Sequence, residues 1–216
     1  MYELKHVTPE SEGIPSDAVV RFIDKVTEYR MNIHSFAFIR RGNVAAEAYA
    51  KPFFDENFNH RLYSCSKSFV SLAIGKLVRE NKVKLTDKIC SYFTEFVDEN
   101  TDEKVKETTI EDMLEMSVSP LTDSYALRPD LPWAESFFKV RGVKPSGTVF
   151  DYNSSGSFVL GALVEKLTGK TFIEYLRPEF DEIGVSGNIR CVTSPDGYAW
   201  GASGVICTLR DFAKVC

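Results

Sequence analysis

The sequence predicts an α+β fold in which a small antiparallel sheet is flanked by helices and most of the remaining chain is helical. Three stretches carry that prediction. Residues 35–50 read as two strands around the turn Arg41-Gly42-Asn43. Residues 61–78, RLYSCSKSFVSLAIGKLV, read as an extended approach running into an apolar helix. Residues 158–180 read as two successive helices with a glycine stop between them.

Taken in order, Pro15-Ser16 opens a helix that runs to about Arg30, with Val19, Val20, Phe22, Ile23 and Val26 on one face. The hairpin follows, Ser35 to Arg40 and Val44 to Ala50, and a polar connection leads to the central helix. That helix places Phe69, Val70, Leu72, Ala73, Ile74, Leu77 and Val78 as apolar positions. Its small stripe, Ser68, Ser71 and Gly75, would let another element lie close. Leu85-Thr86-Asp87 starts a short helix through Tyr92, and the acidic run from Glu95 to Glu103 reads as a solvated loop. Thr109 and Asp112 have the spacing of a capping box for a helix ending near Met116. From Ser117 to Pro145 the chain is loop-rich, with Pro120, Pro129 and Pro132 among the aromatics Tyr125, Trp133, Phe137 and Phe138. Such a segment is either a binding-site wall or a loop pinned to the core by its rings. PSGTVFDYNSSG then feeds a helix from Phe158 to Leu167 closed by Gly169, a second helix runs from Thr171 to about Phe180, and Thr208 caps a last one through Val215.

The chain has 216 residues, 44% of them hydrophobic, and a formal net charge of −5. That length supports one sizeable core or two interlocked lobes. The absence of a Lys/Arg cluster with interleaved aromatics argues against a nucleic-acid partner. The N-terminal MYELKHVTPE lacks an apolar signal core, and no apolar run reaches the length of a membrane span. Five widely spaced cysteines, Cys65, Cys90, Cys191, Cys207 and Cys216, read as reduced thiols, so a cytoplasmic location is expected.

The chemistry-bearing candidates are Ser64 and Lys67, three residues apart and therefore on one helix face. A serine hydroxyl needs a base within hydrogen-bond reach to become a nucleophile. A lysine serves if it is desolvated or held near positive charge. The bland alternative makes Ser64 an N-cap and Lys67 a solvated first-turn lysine, and Ser136-Phe-Phe-Lys139 repeats the same spacing. Competing chemistries fare worse. No Gly-x-Ser-x-Gly elbow occurs, and His6, His34 and His60 have neither triad context nor metal-ligand spacing. Gly169-Lys170-Thr171 lacks the glycine of a phosphate loop, since Val164 stands five residues before Gly169. No metal or cofactor is implied. Tyr152, in a Gly/Ser-rich turn, is a candidate third group, since a phenol near a cation can carry a proton.

These stretches together resemble the serine β-lactamase and penicillin-binding-protein superfamily, and within it the class C-like branch of related esterases, D-amino-acid peptidases and oligomer amidases. The resemblance rests on TPESEGIPSDAV, SFAFIRRGNVAAEAY, LYSCSKSFVSLAIGKLVRENKVKLTDKICSYFTEF, TIEDMLEMSVSPL, PSGTVFDYNSSGSFVLGALVEKLTGKTFIEYL and GASGVICTLRDFAKVC, in order along the chain. It implies a β-lactamase/DD-peptidase-like fold, shortened at its C-terminal end. Residues 1–62 and 187–216 would form a partial sheet lobe and residues 63–186 a mainly helical one. It implies Ser64 as nucleophile, Lys67 as its base and Tyr152 as proton carrier. Asn153, Ser154, Tyr125 and Trp133 become the substrate-facing candidates, and a small ester or amide the substrate. Two departures stand out. The second motif, usually Tyr-x-Asn, ends here in Ser154, which tilts the reading away from true β-lactamase. The third motif, Lys-Thr-Gly or His-x-Gly, does not occur. The expectation is therefore either a piece of a longer enzyme or a shortened paralogue whose open sheet edge another copy covers. The rival functional readings are a binding or assembly module that keeps the cleft without turnover, and a transpeptidase, which would need an extracytoplasmic address.

Overall fold

The computed structural model describes residues 3–119 and 123–216, so Pro120 of the expected loop lies outside the described residues. The chain separates into two compact units. The first comprises residues 1–60, 178–189 and 206–216, and the second residues 61–177 and 190–205. Residues 178–186 thus group with the hairpin and 190–205 with the helices, where the sequence reading divides them otherwise.

In the first unit, strand β1 (Lys5–His6), helix α1 (Ser16–Glu28), β2 (Ser35–Arg40) and β3 (Asn43–Tyr49) come first in the chain. The hairpin is antiparallel with a bulge between Phe38 and Ile39, and β1 adds a short parallel neighbour to β3. Arg41 and Gly42 take φ of 52° and 76°, so the turn has the mirror-image geometry that matches strand twist. The expected face of α1 is only partly covered. Phe22 packs edge-on against Phe36 and Phe38 at 5.0 Å, while Val20 and Ile23 stay exposed. The terminal helix (Leu209–Val215) begins at Thr208, whose hydroxyl accepts the Asp211 N–H, and Asp211 in turn holds the Ser186 N–H and hydroxyl.

The second unit is helical. Helix α2 (Ser66–Arg79) follows a 3-10 turn at Tyr63–Cys65, so Ser64 precedes the helix and does not cap it. Short helices α3 (Glu103–Lys106) and α4 (Ile110–Leu114) follow, the second with the expected Thr109/Asp112 capping box. The expected helix at 85–92 shrinks to a 3-10 turn, Ile89–Ser91, because Asp87 spends its carboxylate on the Lys84 N–H and the Tyr92 hydroxyl. The loop-rich stretch contains α5 (Ser124–Leu127) and α6 (Trp133–Lys139); Ala134, Phe137 and Phe138 of α6 are fully buried, which pins that stretch to the core. Helix α7 (Ser154–Thr168) starts four residues earlier than its apolar run, since Asn153 caps it, and Gly169 closes it at φ 67°. The next expected helix is two short ones, α8 (Phe172–Tyr175) in this unit and α9 (Arg177–Glu182), which from residue 178 onward belongs to the first unit.

Helix α7 is the hub. Its residues from Ser155 to Val164 are all buried, and it packs on α2, α4, α6 and α8. From α2 come Phe69, Val70, Ala73, Ile74 and Leu77, while Leu72 is 48% exposed and Val78 half-buried. Ser68, Ser71 and Gly75 are exposed, and a Cβ on Gly75 would meet nothing, so the small stripe covers no neighbour. The close approach lies elsewhere. A Cβ on Gly201 would sit 2.4 Å from Val70 Cγ2 and 3.4 Å from Phe172, so residues 199–204 run hard against the α2 and α8 side chains. Val70 is β-branched and buried, and cannot swing away freely. Gly201→Ala is therefore expected to cost about 1–3 kcal/mol of unfolding free energy. The urea midpoint checks this, and an unchanged midpoint would show that the segment backs away without strain.

Candidate active site

Every group of the candidate site belongs to the second unit. Ser64 is exposed on its 3-10 turn, reached through Tyr63, whose φ of 47° is left-handed. Such a backbone costs about 1 kcal/mol or more in a residue with a Cβ and persists only where the surroundings hold it. They do: the Arg61 guanidinium stacks on the Tyr63 ring at 4.8 Å and on Trp200 at 4.8 Å. Arg61 Nε also donates to the Ser203 carbonyl at 3.0 Å.

Lys67 lies at the start of α2, half-buried. Its Nζ donates to Ser64 Oγ at 3.2 Å and to the Ala202 carbonyl at 2.8 Å. The same ammonium stands 4.9 Å from the centre of the Tyr152 ring. Burial pushes the Tyr152 phenol up, but hydrogen bonds from Ser64 and Lys67, together with the Lys67 charge, outweigh it, so the phenol lies below the ordinary tyrosine value. The three groups singled out for chemistry are thus brought together. Tyr152 is 51% exposed and can meet a small molecule.

The substrate-facing candidates divide. Asn153 is 2% exposed and its Oδ1 accepts the Gly156 N–H, so its side chain serves the helix. Ser154 is half-buried at the first position of α7, and the Tyr125 phenol donates to Asp123 Oδ2 at 3.1 Å. Tyr125 stacks on Trp133 at 4.6 Å, and Trp133 stands edge-on to Phe158 and Trp200. Trp133 is thereby fixed among α7 and the segment at 199–204, the pinning role that its stretch also allowed.

Several contributors escape sequence reasoning. The partner of Lys67 is a backbone carbonyl, Ala202, which no side-chain pattern can announce. The fully buried Ser66 hydroxyl accepts the Val205 N–H at 3.0 Å, tying that segment to α2. The Leu62 N–H donates to the Val205 carbonyl at 2.8 Å. Only the small-residue run GASG hints that the chain approaches another element closely. Among the described residues no cluster of three metal-ligating side chains occurs, and no helix is long and apolar enough to cross a membrane. Cys65, Cys90, Cys191 and Cys207 are free thiols; burial pushes Cys90 up to about 11 and Cys191 and Cys207 up to about 12.

The chain is 23% identical over 233 aligned residues to a 6-aminohexanoate-dimer hydrolase of Paenarthrobacter ureafaciens, a match covering 97% of this chain and 59% of that protein. Among solved structures it is similar to a 6-aminohexanoate-dimer hydrolase, described as putative, from Bacillus anthracis, with a TM-score of 0.70 and 22% identity over 88% of this chain and 54% of that one. It is also similar to EstCE1, a hydrolase with promiscuous acyltransferase activity, with a TM-score of 0.70 and 14% identity over 92% of this chain and 71% of that one. The chain thus spans little more than half the length of the hydrolases of both bacteria. A family description, Beta-lactamase, matches residues 19–182, a span that holds Ser64, Lys67 and Tyr152, and on that match the chain belongs to the Beta-lactamase family.

Proposed function

We propose that this chain carries the nucleophilic part of a serine hydrolase that transfers the acyl group of a small ester or amide to Ser64 and then to water. The observation that supports it is the cluster itself: one hydroxyl, one ammonium and one phenol of lowered pKa, within reach of each other and of solvent. The similarity to a hydrolase of an aminohexanoate dimer and to a promiscuous acyltransferring hydrolase supports a small acyl substrate.

The arrangement favours Tyr152 as the proton acceptor. Lys67 spends its hydrogens on Ser64 and on the Ala202 carbonyl, which suits a charge-holding donor better than a base. In this reading the Tyr152 oxygen takes the Ser64 proton as Oγ bonds to the carbonyl carbon. Lys67 holds the negative charge on the phenolate, and the start of α2 favours the developing oxyanion. Collapse breaks the bond to the alcohol or amine, which leaves with the proton from Tyr152. A water then attacks the acyl-Ser64, giving its proton to Tyr152, and the acid departs as Oγ is reprotonated.

Turnover of p-nitrophenyl butyrate should vanish in Ser64→Ala and fall by about a hundred- to ten-thousandfold in Tyr152→Phe, with the melting temperature nearly unchanged. Equal rates in wild type and Ser64→Ala would overturn the reading. The acylation rate should also rise with pH through the Tyr152 ionisation, below the value of about 10 for an ordinary tyrosine. Lys67→Ala removes both a hydrogen bond and the positive charge that lower it, so the Tyr152 step in tyrosinate absorbance should move to higher pH. A step that stays put would show that Lys67 does not tune the phenol.

A further inference from the structure

We propose that Asp123 is a positioning residue for the acid–base group: its carboxylate clamps the backbone just beyond Tyr152 and sets where, and against what charge, that phenol stands. The inference rests on the reading of Tyr152 as the proton acceptor. Asp123 is the residue ahead of α5, yet its side chain makes no cap bond to that helix. It reaches instead to the start of α7. Oδ1 accepts the Ser154 N–H at 2.6 Å and the Ser155 N–H at 3.1 Å. Oδ2 accepts the Tyr125 hydroxyl at 3.1 Å. The neighbouring Ser124 N–H donates to Ser155 Oγ at 2.8 Å, and the Ser124 hydroxyl meets that of Ser136 at 2.9 Å.

Asn153 already caps α7 through the Gly156 N–H, so Asp123 satisfies the first two N–H groups of the helix from another segment. A carboxylate at a helix N-terminus is a favourable placement worth some tenths of a kcal/mol, and that alone would be a purely structural role. What separates Asp123 from an ordinary cap is its neighbour. Tyr152 stands two residues before the clamped Ser154, close enough for the carboxylate's charge to act on its phenol. The charged groups acting on that phenol are Lys67 from α2, which favours its ionisation, and Asp123, which opposes it; the Ser64 hydroxyl adds a hydrogen bond. Burial and the same carboxylate push the Tyr125 phenol well above its ordinary range, so Tyr125 remains a proton donor to Asp123 and no competitor for the Ser64 proton. Asp123 therefore opposes the Lys67 charge in its effect on the phenol and fixes the backbone just beyond it.

The test uses the full chain with Asp123→Asn, Asp123→Glu and Asp123→Ser, and Tyr152→Phe as the spectral reference. Tyrosinate absorbance is titrated for each, and the Tyr152→Phe curve is subtracted to leave the Tyr152 step. Removal of the charge in Asp123→Asn should move that step to lower pH, while Asp123→Glu should leave it near the wild-type position. With p-nitrophenyl butyrate, kcat in Asp123→Asn should fall by roughly ten- to a hundredfold with KM nearly constant, as expected when a reacting group is misplaced by a fraction of an ångström. Asp123→Ser keeps a short acceptor for the helix N–H groups and tests the charge if the amide variant folds poorly. A distinct Tyr152 step that no charge-removing variant moves, with wild-type kcat, would overturn the role of Asp123 alone. A wild-type titration identical to that of Tyr152→Phe would overturn the assignment of Tyr152, and the proposal with it.

Discussion

The buried contact between α2 and α7 is the constraint on which the candidate site depends. Ser64 comes from the 3-10 turn just before α2, Lys67 from the first turn of α2, and Tyr152 from the residues just before α7. Neither pair of termini is held by a covalent link. What joins them is the apolar face of α2, Phe69 through Leu77, packed against an α7 that is buried from Ser155 to Val164. Each fully buried Phe, Leu or Ile in that contact contributes about 1.5–3 kcal/mol, far more than the polar contacts of the site. The hydrophobic core therefore does the positioning, and the site's hydrogen bonds adjust it.

Those hydrogen bonds form a second tier. The segment at 199–204 runs hard against Val70 at Gly201 and is tied to α2 by the Ser66 hydroxyl, which places the Ala202 carbonyl where Lys67 can donate to it. Arg61, sandwiched between Tyr63 and Trp200, holds both the left-handed residue before Ser64 and the Ser203 backbone. An ammonium anchored to a neutral carbonyl keeps its charge for its neighbours. At Tyr152 it acts with the Ser64 hydroxyl to lower the phenol despite the opposing desolvation.

Much of this was legible in the amino-acid sequence, for identifiable reasons. The hairpin was readable because Arg41-Gly42-Asn43 is turn chemistry between two alternating runs, and α4 because Thr109 and Asp112 spell a reciprocal cap. Ser64, Lys67 and Tyr152 could be named because ordered stretches along the chain resemble one superfamily; the Ser-x-x-Lys spacing alone recurs at Ser136 and Lys139 and singles out nothing. Periodicity misled where solvent competes with packing. Leu72 and the stripe Ser68, Ser71 and Gly75 look like an inner face and lie outside, and α1 keeps Val20 and Ile23 in water. Helix α6 was hidden by the prolines around it, although Phe137 and Phe138 anchor it in the core. Backbone partners such as Ala202, and long-range caps such as Asp123, leave no local pattern at all. They exist only once the chain has folded.

The central claim is that Ser64 is a live nucleophile within this polypeptide. The most direct test is intact mass after incubation with a fluorophosphonate, followed by mapping of the modified peptide. A single adduct located on Ser64 and lost in Ser64→Ala is the result the account predicts. A well-folded wild-type protein that acquires no adduct, or one that carries it on another residue, would contradict it.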